Sequence, residues 1–197
     1  MKILHIDSSI LGEHSVSRAL TAATLNHFQN LAPEAEVISR DLVAEPLEHL
    51  SAVEYMAMTG NDVQVESAQA SISNNAQLVY EFLASDIIII GAPMYNFTIP
   101  SQLKSWLDRL AVAGKTFSYT ENGPQGLAGG KKVIIASSRG GAYGEENAAD
   151  HQESYLRVFL GFLGLTDIEF IRAEGVASDR EKSVETALNT IKTLSLS

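Results

Sequence analysis

The chain contains no cysteine. Disulfides, iron–sulfur ligation and thiol nucleophiles are thereby excluded. Positive charge is scarce: 14 Lys and Arg stand against 24 Asp and Glu, a net charge of −10. A general basic surface for nucleic acid is not expected. An anionic ligand would have to be held mainly by backbone N–H groups and hydroxyls. Apolar runs fall far short of the ~20 residues of a membrane span. The Met-Lys start leads directly into a strand pattern, so no signal peptide is expected. The expected setting is cytoplasmic, with no membrane or nucleic-acid partner. His5, His14, His27, His49 and His151 form no HExxH or other close ligand pair, so no metal is expected. No G-x-S-x-G elbow occurs. The dinucleotide glycine fingerprint is missing. "GLAGGKK" (126–132) fails as a phosphate loop, because Lys132 stands where Ser or Thr is needed and the first glycine is out of register.

What remains is a chain of 197 residues, 45% hydrophobic, enough for one domain over 1–197. Strand patterns occur at 2–7, 36–42, 86–92, 131–138 and 167–175. Helical spacing occurs at 15–31, 101–111 and 153–164. The stretch 43–85 is longer than one crossover needs and predicts helices near 47–58 and 67–84. A last helix is predicted from a capping-box pattern, Ser178-Asp-Arg-Glu181. This alternation predicts an α/β fold, a doubly wound five-stranded parallel sheet with helices on both faces. The expected strand order is the flavodoxin-like 2-1-3-4-5, with ligands beyond the carboxyl ends of the strands near the switch between strands 1 and 3.

Three loops fall at that end. "DSSILGEHSVSR" (7–18) brings hydroxyls to the start of a helix, where free N–H groups favour an anion. Ser15 or Ser17 can equally serve as a plain helix cap. "PMYNF" (93–97) follows "IIII" with a flat, greasy cluster: either a loop folded on the core, or a wall for a planar ring whose polar edge meets the N–H groups of 95–97. "SSRGGAYG" (137–144) contains Gly140 and Gly141, which either make a turn or allow close approach of a ligand. Together the three suit a mononucleotide with a flat redox ring, FMN.

The segments "PMYNF", "FSYTENGPQGL" (117–127), "KKVIIASSRGG" (131–141) and "FLGFLG" (159–164) resemble the FMN-dependent NADH azoreductases, which are also NAD(P)H:quinone oxidoreductases of the flavodoxin-like superfamily. The resemblance runs from about residue 2 to 175. It implies one non-covalent FMN per subunit. The phosphate would lie on Ser9, Ser15, Val16 and Ser17, with Val16 offering only its N–H where some relatives have a polar side chain. The ring would lie on Met94, Tyr95, Asn96, Phe97, Ser138, Arg139, Gly140 and Gly141. It further implies a homodimer, NADH or NADPH as donor, and quinones and azo compounds as acceptors in a ping-pong reaction. Tyr119 and Phe162 match substrate-pocket positions, and Phe162 reads equally well as core. No catalytic acid or base is obligatory, because the cofactor carries the hydride. The rival reading is a flavodoxin-type one-electron carrier, which the long 43–85 insert and the 117–127 loop disfavour.

Overall fold

The computed structural model describes residues 1–144 and 147–196. Five parallel strands form the central sheet: β1 (Lys2–Asp7), β2 (Glu36–Asp41), β3 (Ile87–Pro93), β6 (Lys132–Ser138) and β7 (Asp167–Ala173). Their order is β2-β1-β3-β6-β7, which is the expected 2-1-3-4-5 once the main strands are counted in sequence. The four isoleucines of β3 show why a doubly covered strand needs no polar alternation. Ile87 and Ile89 pack on one face with α1 (Val16–Leu31) and α6 (Arg180–Ile191). Ile88 and Ile90 pack on the other with α3 (Gln69–Ala84), α4 (Ser101–Asp108) and α5 (Glu153–Phe162). Each fully buried isoleucine contributes about 1.5–3 kcal/mol.

The next residue of β3, Gly91, has a tertiary reason to lack a side chain. A Cβ there would lie 2.9 Å from Asp7 Oδ1 and 3.2 Å from the Thr21 methyl. The bare backbone leaves room for Asp7 to accept a 2.8 Å hydrogen bond from the Thr21 hydroxyl.

Three local expectations are corrected. The 47–58 helix is shorter, α2 (Ala52–Met58), because Ser51 and Glu54 form a capping box that starts it later. The last helix is capped by Asp179, whose carboxylate accepts from the Lys182 N–H, so Ser178 lies outside it. The 117–127 stretch holds an antiparallel hairpin, β4 (Phe117–Thr120) and β5 (Gly123–Gly126). It is secured where Gly126 presses on the 163–164 peptide: a Cβ at Gly126 would meet Gly164 N at 2.1 Å. Among the described residues no helix is long and apolar enough to cross a membrane.

Candidate cofactor site

At the carboxyl end of β1 the chain makes a short 3-10 turn, Gly12–His14, and enters α1. Ser15 is the cap: its Oγ accepts from the Arg18 N–H at 3.2 Å and lies 3.1 Å from Ser17 Oγ. Capping uses up the Arg18 N–H. Among the described residues the N–H groups of Val16 and Ser17 have no acceptor. The Val16 side chain is buried in the core, so the residue packs with one end and offers an anion its N–H with the other. Ser8, in contrast, is committed to the fold, donating to the Gly91 carbonyl at 2.5 Å.

Ser9 is fixed from two sides. Arg18 donates to its carbonyl from Nε at 3.1 Å and Nη2 at 2.9 Å. The same guanidinium holds Asp41 through two bonds of 2.7 Å, and the Arg18 hydrogen bonds pull the Asp41 carboxyl down to about 2. The Ser9 hydroxyl lies 3.1 Å from the Tyr95 phenol, which also accepts from the Ile10 N–H at 3.2 Å. Tyr95 is therefore a tie between the serine loop and the aromatic loop as well as a wall.

The aromatic loop is a tight reverse turn. The Tyr95 and Thr98 backbones bond each other in both directions, at 3.0 and 3.2 Å. Asn96 and Phe97 between them have φ of 48° and 71°. Two consecutive left-handed residues are the type I′ pattern. Asparagine adopts this region with relative ease, but a bulky phenylalanine is a genuine outlier there, at a cost of about 1–3 kcal/mol. The turn leaves the Phe97 side chain 52% exposed. The Tyr95 N–H is consumed by the turn and the Met94 N–H donates to Ser138. Of the expected N–H donors 95–97, those of Asn96 and Phe97 remain without a protein acceptor among the described residues.

Arg139 lies in the expected loop, but its side chain faces inward. It is fully buried and held by Asp150 at 2.5 Å, Glu153 at 2.7 Å and Glu174 at 3.2 Å. Its backbone is engaged as well: the N–H donates to the Ala173 carbonyl and the Arg139 carbonyl accepts from the Val176 N–H, so Arg139 lines the cavity with polar groups already paired. Gly140 and Gly141 have no positive φ, so the turn itself does not demand them. A Cβ at Gly140 would meet nothing nearer than Ala177 at 3.7 Å, so the chain's own packing does not demand glycine there either.

A cavity of about 140 Å³ joins these parts, lined by Ser9, Ser15, Val16, Met94, Tyr95, Ser138, Arg139 and Gly140. Ser17, Asn96, Phe97 and Gly141 adjoin it in sequence without lining it. Leu11, His14, Val176 and Arg180 line it as well, and the sequence reading missed them. The volume is below the ~300 Å³ typical of ligand pockets. It has room for a phosphate group and not for a whole mononucleotide. A roomier cavity of about 330 Å³ lies between α2, α3 and the turn after α4. Its buried polar groups already bond one another, as Arg109 bonds Asn75 at 2.7 Å and Glu54 at 3.0 Å.

Tyr119 and Phe162 do not join this cavity. They form a row through Phe117, with ring centroids 5.4 Å from Tyr119 and 4.6 Å from Phe162. Phe162 is the last residue of α5 and β7 begins at Asp167, so the row sits where strands begin, and the serine and aromatic loops sit where they end. Seven residues of strand, about 20 Å, separate the two. Phe162 packs half-buried on the core, so its core role is real. Tyr119 is 77% exposed.

Residues 1–194 match the family described by a flavodoxin-like fold. The chain is 55% identical over 196 residues to an FMN-dependent NADH:quinone oxidoreductase of Sinorhizobium fredii, covering 97% of this chain and 95% of that one. A protein of the same name from Rhizobium meliloti is 57% identical over 178 residues, covering 89% and 86%. Among solved structures, an azoreductase from Bacillus anthracis superposes with a TM-score of 0.85 at 30% identity, covering 98% of this chain and all of that one. Its fold, its cavity between serine and aromatic loops, and these relatives agree: this chain belongs to the flavodoxin-like family of FMN-dependent NADH:quinone oxidoreductases.

Proposed function

We propose that the protein uses NADH or NADPH to reduce quinones by two electrons and to cleave aromatic azo compounds to amines, through one FMN per subunit bound non-covalently. The observation that carries this is that unmet N–H groups at the start of α1 and the strained 95–98 turn flank one cavity, which Val16 and Tyr95 line. The first suits a phosphate and the second suits the polar edge of a flat ring. When bound, FMN supplies hydride transfer in both directions. The chain's own part is to hold and shield. Val16, Ser17 and the Ser9 and Ser15 hydroxyls would take the phosphate; Asn96 and Phe97 N–H groups would meet the ring edge; the Ser138–Gly141 backbone would lie along it. A ring held this way would leave one face for donor and acceptor to use in turn, and a single shared pocket implies a ping-pong order. Full azo cleavage takes four electrons, hence two donor molecules per bond.

Exposed Phe97 and exposed Tyr119 lie at opposite ends of the sheet. In a two-fold dimer, Tyr119 and Phe162 of one copy would close the ring face of the other, each interface repeating itself by symmetry. This supports a homodimer with shared substrate pockets. The test is threefold. Purified protein is expected to be yellow and to release FMN on acid precipitation. Initial rates with NADH and a quinone should give parallel double-reciprocal lines, and sedimentation should give twice 21.3 kDa. Protein that takes up no flavin from excess FMN would overturn the reading.

A further inference from the structure

The cavity has two arginines, and they differ in what they are free to do. Arg139 is buried under three carboxylates, as described. Arg180, the first residue of α6, is exposed, and its Nη2 donates to the His14 carbonyl at 3.1 Å. Among the described residues no carboxylate lies within ion-pair distance of it. Asp179 beside it is engaged with the Lys182 N–H. A guanidinium carries five donors, so one backbone bond leaves most of them open. The carbonyl it touches belongs to the peptide that continues into Ser15, the cap of the proposed phosphate end. The α1 and α6 starts are thus brought together across 166 residues of sequence.

We propose that Arg180 is the phosphate-reading cation of this site, selecting FMN over the unphosphorylated flavin. This rests on the FMN reading above. A phosphate monoester carries about −1.5 to −2 at neutral pH, and the chain's net charge is −10. Hydroxyls and helix N–H groups supply only partial charges, and Arg180 supplies a full one where the ligand's charge enters. Arginine also matches phosphate oxygens with a fork of parallel donors.

The test is titration of apoprotein with FMN and with riboflavin, followed by flavin fluorescence quenching at two salt concentrations. Arg180→Gln is expected to weaken FMN about tenfold, to leave riboflavin unchanged and to flatten the salt dependence of FMN binding. Arg180→Lys should recover most of the FMN affinity. The residue is exposed and makes one backbone bond, so the variants should fold; equal thermal melting of the apoproteins checks this. Equal loss for both flavins would overturn the proposal, as would unchanged FMN binding with a raised KM for NADH, which would make Arg180 a reader of the nicotinamide donor. Wild type binding FMN and riboflavin equally would remove the phosphate selection while leaving the flavin reading intact. Wild type binding neither flavin would remove both.

Discussion

The polar groups around Arg109 and those around the cavity show opposite treatment of the same chemistry. Between α2, α3 and α4, Arg109 is 2% exposed and donates to Asn75, Glu54 and the Ser105 carbonyl. Glu54 in turn accepts from the Ser51 and Asn75 groups. Each guanidinium nitrogen has a partner, and the result is a rivet that fastens α2 to α3 and α4. Around the cavity, N–H groups at Val16, Ser17, Asn96 and Phe97 are left without acceptors among the described residues, a phenylalanine is held at φ 71°, and Arg180 touches one carbonyl. Burial with full satisfaction makes structure. Open donors on a strained but well-anchored frame make a site.

Breaking the rivet should have the largest effect. Glu54→Ala strands a buried guanidinium and is expected to destabilise the fold by about 3–5 kcal/mol, read by urea denaturation, with FMN affinity per folded molecule unchanged. The same pair predicts an acid limb. Burial alone would raise the Glu54 carboxyl, but the Ser51, Asn75 and Arg109 contacts outweigh it and hold it at about 2. A depressed carboxyl stabilises fully above its unfolded value and loses that support as pH falls. Stability should therefore drop between about pH 4.5 and 2 by roughly 3 kcal/mol, and a Glu54→Gln variant should lack that part of the slope.

At the open end, effects should fall on binding instead. Ser9→Ala with Ser17→Ala removes two hydroxyls from the phosphate end, each worth about 1.5–3 kcal/mol if bonded to the anion. FMN affinity should drop at least tenfold, with turnover mostly restored by excess FMN; an undiminished affinity would move the phosphate elsewhere. Phe97→Gly relieves the left-handed strain and should raise stability by about 1 kcal/mol while reducing turnover. A fall in melting temperature would show that the turn is not strained. The smallest effect on binding is expected for Tyr119→Ala. FMN affinity should stay nearly unchanged while kcat/KM changes unequally for a quinone and an azo dye; release of FMN by this variant would reverse the assignment of the two ends.

The sheet and its order were legible because buried parallel strands are written as local apolar runs, and "IIII" is the plainest case. The hairpin was not. Its β5 is Gly-Pro-Gln-Gly, with no strand propensity, and is held by pairing with β4 and by the Gly126–Gly164 approach. The Ser51–Glu54 capping box carries a sequence signature, and it sets the start of α2 inside the long insert. At the site, the serine and aromatic loops were visible because each is contiguous. Arg139 follows β6 in the expected loop, yet its inward turn depends on Asp150, Glu153 and Glu174, which no spacing rule connects. Arg180 and His14 carry no motif and meet only through the packing of α6 beside α1.

Gly91 has a consequence for reading variants of this protein. In a saturation-mutagenesis map, position 91 should be as intolerant as any residue that touches the cofactor, since even alanine must displace Asp7 or Thr21. Its failures, however, will appear as lost protein, and supplying flavin will not rescue them. Activity alone would place this glycine in the site; abundance measured beside activity separates a position that shapes the sheet from one that holds a ligand.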